Sequence, residues 1–143
     1  MKLETPKVAH SRIVMAFDFG LKRIGLAVGQ TLTKTAQPIH ILKAEEGKPN
    51  WDSVAKYINQ WGPDVLIVGL PLNMDGTESE MCLLAKRFAN KLGGKFGLPV
   101  ETFDERLSTF EAKTKADESQ VKSDKNIDAI AAQLILESWL NSN

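Results

Sequence analysis

The 143-residue chain is predicted to fold as one α/β domain, in which a mixed β-sheet is covered by helices on both faces. Two patterns predict this class. Short apolar runs bounded by Gly, Pro or Asp are typical of buried strands, and in the second half of the chain they alternate with longer segments whose apolar residues recur at helical spacing. With 43% hydrophobic and 25% charged residues, the composition suits a globular protein with a single core.

The first half of the domain is predicted to be a three-stranded meander. Its first two apolar runs, 13–20 and 24–29, are joined by a short connection and therefore favour an antiparallel hairpin. A third extended segment lies within 31–42, and residues 45–49 are predicted to form a surface loop.

The second half is predicted to alternate helices and strands. A helix begins after the candidate N-cap Asn50 and ends at a Gly-Pro pair, and a buried strand follows at 64–69. The next helix follows the tetrapeptide 77–80, which has the spacing of a capping box, and it leads to a strand at 98–104.

Two further helices are predicted to complete the chain. A second capping box at 108–111 precedes the first of them, and a stripe of apolar residues from Ile127 to Trp139 forms the second. The meander and the two later strands make a five-stranded mixed sheet, because βαβ-type crossovers add parallel strands to it. This is the strand order of the ribonuclease-H-like fold.

The composition excludes several classes of function. The formal net charge is zero, so the protein lacks the overall positive charge of proteins that coat nucleic acid. A local basic patch is still compatible with a net charge of zero. The single cysteine, Cys82, cannot form an internal disulfide, and two isolated histidines do not make a zinc-type cluster.

The location of the protein is predicted from what the sequence lacks. No apolar run reaches the length of a membrane span, and we expect no membrane partner. The polar residues 1–12 have no apolar segment of a secretion signal and are expected to form a flexible extension, so that the single domain spans 13–143. We therefore expect a cytoplasmic protein.

Carboxylates follow the first and the last predicted strands. Asp18 ends the most apolar run of the chain, Asp104 and Glu105 end the last strand, and Asp128 lies in the first turns of the final helix. If the two strands run toward the same end of the sheet, these carboxylates converge. A buried carboxylate without a partner costs several kcal/mol, so we expect hydrogen bonds or a cation at this position.

Clustered carboxylates of this kind predict a hard divalent cation. They repel one another and raise each other's pKa unless a cation joins them. Oxygen ligands without histidine or thiolate suit Mg²⁺ or Mn²⁺, which activate water and stabilise the leaving oxygen of a phosphodiester. The alternative is structural: Asp104 and Glu105 would pair with Arg106, and Asp128 would favour a helix N-terminus through the dipole.

Polar residues next to these acids are candidates for substrate binding. Lys22, Arg23, Arg106 and Lys125 each lie beside an acidic position, where a cation would hold a phosphate backbone without reading its sequence. Asn73 lies in a loop that is predicted to overhang the same end of the sheet. Each cation could instead pair with a carboxylate or be solvated.

Four blocks of the sequence resemble one known family. They are DFGLKRIG at 18–25, GLPLNMDGT at 69–77, DERLST at 104–109 and KNIDA at 125–129. These blocks look like the signature blocks of the YqgF/RuvX family, and the resemblance covers about residues 13–140. It implies a ribonuclease-H-like fold akin to Holliday-junction resolvases, and a Mg²⁺-dependent nuclease that matures the 5′ end of the 16S ribosomal RNA precursor. It also implies that Asp18, Asp128 and either Asp104 or Glu105 bind the metal.

Strand alternation alone leaves both Asp104 and Glu105 open as the second ligand. Asp104 shares a face of its strand with Val100, and Glu105 shares the other face with Phe103. We favour Glu105, because resolvase-like relatives carry a glutamate at the equivalent end of the strand. The predicted catalytic and metal-binding set is therefore Asp18, Glu105 and Asp128.

The leading hypothesis is a metal-dependent endonuclease that acts on structured RNA, namely pre-16S rRNA, as a monomer or weak homodimer. Association with the ribosome is left open as a further interaction. One alternative is a Holliday-junction-type resolvase acting on branched DNA, and another is a catalytically inert module that binds nucleic acid or the ribosome. Kinase-like ATPases of the actin and sugar-kinase type also open with an Asp-x-Gly hairpin. They need a second, duplicated domain, for which 143 residues leave no room.

Overall fold

The computed structural model describes residues 11–107 and 124–142, except for the side chains of 107 and 124–128, and those ranges contain six strands and three helices. The strands are β1 (Ile13–Asp18), β2 (Arg23–Gln30), β3 (Thr35–Glu45), β4 (Lys48–Pro49), β5 (Val65–Leu70) and β6 (Val100–Asp104). The helices are α1 (Trp51–Trp61), α2 (Glu80–Phe96) and α3 (Asp124–Ser142), and a 3₁₀ turn at Glu105–Leu107 follows β6. The predicted capping box at 108–111 lies outside the described residues.

All six strands form one mixed sheet in the order β4-β3-β2-β1-β5-β6. The strands from β1 to β4 are antiparallel neighbours, whereas β5 is parallel to both β1 and β6. The antiparallel half forms because short turns join its strands, and β6 is parallel to β5 because α2 carries the chain back between them. The predicted meander with βαβ-type crossovers is confirmed.

The prediction of five strands was wrong by one. Residues 45–49, expected to be a loop, form a hairpin in which Glu45 pairs with Lys48. The two residues of its turn, Glu46 and Gly47, have φ angles of 53° and 81°. A two-residue turn with both φ angles positive matches the twist of the flanking strands, and glycine adopts that conformation at little cost. The turn therefore allows β4 to form where polar composition predicted a loop.

The ends of α1 follow the predicted signals, whereas the start of α2 does not. The Asn50 side chain accepts a hydrogen bond from Asp52 N at 2.9 Å, and Gly62 ends α1 with a left-handed φ of 58°. The N-cap of α2 is Ser79, which accepts a hydrogen bond from Cys82 N at 3.1 Å. The capping box at 77–80 would require Thr77 as the cap, but the preceding loop uses the Thr77 hydroxyl for its own hydrogen bonds.

The sheet buries both of its faces, as predicted. One face packs against α1 and α2 and includes Met15 and Phe17 of β1, and the other packs against α3 and includes Val14 and Ala16. Because consecutive side chains of β1 enter opposite cores, the strand is a continuous apolar run. None of the three helices in the described ranges has the length and apolar content needed to cross a membrane.

Candidate active site

Two acidic residues come together at the edge of the sheet where β1, β5 and β6 end. These three strands are parallel, with β5 in the middle, so their carboxyl ends share one edge. Asp18 is the last residue of β1, and Glu105 directly follows β6. Alternation places Asp18 on the same face as Ala16, under α3, and Glu105 on the face of Phe103, which enters the same core.

The side chains of Asp18 and Glu105 are hydrogen-bonded to each other, and both residues are half-buried. Burial raises the pKa of Glu105, and the negative charge of Asp104 raises it further, whereas the hydrogen bond with Asp18 acts in the opposite direction. A hydrogen bond between two carboxyl groups requires a proton on one of them. The pair therefore places acidic oxygens close enough to share a proton or a cation.

Gly69 of β5 gives the Glu105 side chain room to reach across the middle strand. A Cβ atom at position 69 would lie 2.7 Å from Glu105 Oε2 and 2.9 Å from Glu105 Cγ, and 2.8 Å from Ile135 Cδ1 of α3. Sequence reasoning assigned no role to Gly69. The available signal was a glycine inside a run of valine, leucine and isoleucine, which often marks a close approach of another group to the strand.

Asp104 points to a different partner. Arg106 Nε donates to both carboxylate oxygens of Asp104 at 3.0 Å, and Arg106 Nη2 donates to Oδ2 at 2.7 Å. These hydrogen bonds hold the pKa of the Asp104 carboxyl below its usual value. The pairing that the sequence left as an alternative thus exists for Asp104, while Glu105 contacts Asp18.

Arg106 also ties the end of β6 to the loop between β5 and α2. Its Nη1 donates to the carbonyl of Met74 at 3.2 Å, in addition to the contacts with Asp104. The guanidinium group of Arg106, predicted to bind phosphate, therefore already has two partners in the protein. A planar guanidinium can bridge a carboxylate and a carbonyl in fixed geometry, which a lysine cannot do.

The β5–α2 loop is held by its own polar side chains. Asp75 Oδ1 accepts hydrogen bonds from the Thr77 hydroxyl at 2.7 Å and from Thr77 N at 3.0 Å, which lower the pKa of Asp75. The predicted substrate-binding residue Asn73 donates from Nδ2 to the Thr77 hydroxyl at 2.9 Å. Asn73 is exposed and lies in the loop that Arg106 ties to β6.

The other predicted site residues divide into two groups. Lys22 lies in the connection from β1 to β2 and Arg23 is the first residue of β2; both are exposed and close along the chain to Asp18. Position 128 lies in the first turns of α3, the helix that covers the face carrying Asp18, but the side chains of Asp128 and Lys125 are outside the described residues. Among the side chains that the structure describes, no three His, Cys, Asp or Glu residues form a group that could hold a metal ion.

The fold is that of the ribonuclease-H-like Holliday-junction resolvases. T. thermophilus RuvC in complex with a Holliday junction substrate matches with a TM-score of 0.54 and 15% identity, over 88% of this chain and 91% of that one. The fowlpox virus resolvase in complex with Holliday junction DNA matches with a TM-score of 0.56 and 19% identity, over 91% of this chain and 97% of that one. At these identities, the similarity concerns the fold alone.

The chain belongs to the RuvX family. The model of that family, described as "RuvX: Holliday junction resolvase", matches residues 12–142. A relative in Saccharophagus degradans, named "Putative pre-16S rRNA nuclease", is 54% identical over 132 residues, which cover 90% of this chain and 93% of the relative. A relative of the same name in Glaesserella parasuis is 55% identical over 133 residues, covering 90% of this chain and 96% of the relative. The family predicted from the four sequence blocks is confirmed.

A substitution at Gly69 tests whether the space beside this residue positions Glu105. Gly69→Ala is expected to displace the Glu105 carboxyl group and to lower the predicted nuclease activity by about 100-fold, since small misplacements of catalytic groups have effects of that size. Overpacking should lower the free energy of unfolding by only about 1–3 kcal/mol. Activity and chemical denaturation would be measured on the same preparations.

The control for this variant is Gly94→Ala in α2, where a Cβ atom would have no neighbour within 4 Å. It should keep full activity and stabilise the helix by about 1 kcal/mol. Full activity in Gly69→Ala would contradict the role assigned to the space beside Glu105.

Because Arg106 bridges two partners, we expect the shape of its side chain to matter more for activity than its positive charge. Arg106→Lys is expected to lower activity as much as Arg106→Gln, by about tenfold, because neither side chain can bridge Asp104 and the Met74 carbonyl. Cleavage rates of the two variants would be compared at several substrate concentrations. Retention of activity by Arg106→Lys alone would show instead that the charge is what the site needs.

Proposed function

We propose that this protein is a metal-dependent endonuclease that hydrolyses phosphodiester bonds and acts on the 5′ end of pre-16S rRNA. The observation that carries the proposal is the hydrogen-bonded pair of Asp18 and Glu105 at the carboxyl end of parallel strands. Family membership supports the reaction class, and the names of the relatives support the RNA substrate.

The donor set of this pair fits Mg²⁺ or Mn²⁺. Both side chains provide carboxylate oxygens, and burial of Glu105 disfavours two adjacent negative charges unless a proton or a cation compensates them. Hard oxygen ligands suit these ions better than zinc or copper. We assign Asp128 as the third ligand, because position 128 lies one helical turn before Ala132, which is fully buried against the sheet.

Within this proposal, the residues of the chain have separate roles. Asp18 and Glu105 would hold the cation, which would supply Lewis-acid stabilisation to the phosphodiester and lower the pKa of water. Asp104 and Arg106 fix the turn that aims Glu105 and the loop that contains Asn73. Lys22, Arg23 and Lys125 are assigned to the phosphate backbone, where they would position the strand without reading bases.

Branched DNA is the second candidate substrate, because the family model carries the description of a Holliday junction resolvase. An inert module that binds nucleic acid or the ribosome is the non-enzymatic alternative. All three hypotheses predict nucleic-acid binding, so a binding measurement cannot separate them. They differ in whether a nucleic acid is cleaved and in which polymer is cleaved.

One cleavage experiment separates these hypotheses. The purified protein would be incubated with a pre-16S rRNA fragment and with a four-way DNA junction, in Mg²⁺, in Mn²⁺ or in EDTA. Asp18→Asn should abolish metal-dependent cleavage, with a reduction of about 1,000-fold or more. Its thermal stability should be unchanged or higher, because the variant removes repulsion between two acids.

The matched control is Asp52→Asn, which makes the same change of charge at an exposed position in the first turn of α1. It should cleave like the wild type. Undiminished cleavage by Asp18→Asn would contradict the mechanism, and cleavage of the junction but not of the RNA would assign the protein to the second candidate.

A further inference from the structure

Four cations lie together on the outer side of α2 and on the neighbouring β3–β4 hairpin. We call this group the α2 basic surface, and it consists of Lys48, Arg87, Lys91 and Lys95, all of them exposed. The first three line a depression of 170 Å³ beside Phe19 and Trp51, together with one acidic residue, Glu46. Lys95 Nζ lies 5.2 Å from the centre of the Trp51 ring.

These cations are not neutralised by ion pairs within the described part of the chain. The neighbouring Lys86 is paired with Glu78, but no such partner exists there for Lys48, Arg87 or Lys91. Arg87 and Lys91 are four residues apart on α2, a spacing at which like charges repel and destabilise a helix. Helix stability therefore does not account for this pair of cations.

The surface has a rigid base that connects it to the candidate active site. Phe88, next to Arg87, is buried, and its ring centre lies 5.3 Å from that of Phe19. Phe19 directly follows Asp18. The α2 basic surface therefore lies next to the end of β1 but on the side of the sheet that α1 and α2 cover, opposite the face that carries Asp18 and Glu105.

The ring of Trp51, which lines the depression, is already contacted by two side chains, and these leave less of its ring face open for a base. The Trp51 ring stacks on Phe88 with ring centres 5.6 Å apart and an interplanar angle of 23°, and Lys95 covers it as well. Base stacking would need such a face. What the surface presents to a ligand is positive charge, which suits phosphate groups and not base edges.

We propose that the α2 basic surface binds the phosphate backbone of the RNA substrate at nucleotides that flank the cleaved bond. The proposal rests on the proposed nuclease function. To reach these cations, an RNA strand that leaves the acidic pair would pass around the end of β1 at Phe19, which lines the same depression as Lys48, Arg87 and Lys91. Binding there is independent of sequence and adds affinity without taking part in the chemistry.

The salt dependence of binding tests this surface. Binding of a fluorescently labelled pre-16S rRNA fragment would be measured by anisotropy in EDTA, so that no cleavage occurs, over a series of salt concentrations. Each lost phosphate contact reduces the slope of log affinity against log salt by about 0.7 for a single strand and about 0.9 for a duplex. The double variant Arg87→Gln/Lys91→Gln should therefore reduce the slope by about 1.4 to 1.8.

The control is Lys34→Asn/Lys56→Gln, which also removes two exposed cations. Asn is used at position 34 because Lys34 has a φ of 57°, which Asn tolerates well. The control should keep the wild-type slope. An unchanged slope in Arg87→Gln/Lys91→Gln would overturn the proposal, as would an equal loss of slope in the control.

A cleavage assay on the same proteins separates this proposal from the proposed function. Saturating RNA should restore the wild-type rate in Arg87→Gln/Lys91→Gln, because the surface acts on KM and not on kcat. If the wild type cleaves nothing but Arg87→Gln/Lys91→Gln still reduces the salt slope of binding, the proposed function fails and RNA binding by the α2 basic surface stands. If the wild type cleaves RNA and the double variant matches it at every salt concentration, the surface alone fails.

Discussion

Contact between two carboxyl groups is the constraint on which this end of the molecule depends. Asp18 and Glu105 come from strands that are not neighbours, with β5 between them. Their side chains meet because β1, β5 and β6 are parallel and end at one edge of the sheet. In addition, β5 has a glycine, Gly69, at the position that Glu105 crosses, so no side chain blocks it there. Half-buried acids in contact favour a proton or a cation, so the fold itself creates a site for a positive charge.

The surrounding contacts allow Glu105 to take that position. Arg106 holds Asp104 through three side-chain hydrogen bonds and holds the β5–α2 loop through the Met74 carbonyl. Two adjacent acids therefore have different environments: the pKa of Asp104 is lowered by an arginine, and the pKa of Glu105 is raised by burial. Such divergence between neighbouring carboxyl groups is common where they have different roles.

Much of this arrangement could be predicted from local patterns. The end of β1 at Asp18, the two-sided burial of β1 and the parallel strands follow from apolar runs, alternation and connection lengths. Gly69 stood out as a glycine inside an apolar run, but its neighbour Glu105 and the contact from Arg106 to Met74 could not be predicted, because they depend on residues far apart in sequence. The start of α2 at Ser79 also differed, since the loop uses Thr77 for its own hydrogen bonds. The predicted participation of Asp128 stays a prediction.

Calorimetric titration of Mn²⁺ into wild type, Glu105→Gln and Asp104→Asn shows whether Glu105, and not Asp104, holds the cation, because the two variants change adjacent acids by the same charge. Glu105→Gln is expected to weaken cation binding by about 10- to 100-fold, because it loses a ligand whose charge compensates the ion. Asp104→Asn should bind within about threefold of wild type, a difference below 1 kcal/mol, because an asparagine oxygen at position 104 can still accept a hydrogen bond from Arg106. Loss of binding in Asp104→Asn with retention in Glu105→Gln would contradict the assignment of Glu105 as a ligand of the cation.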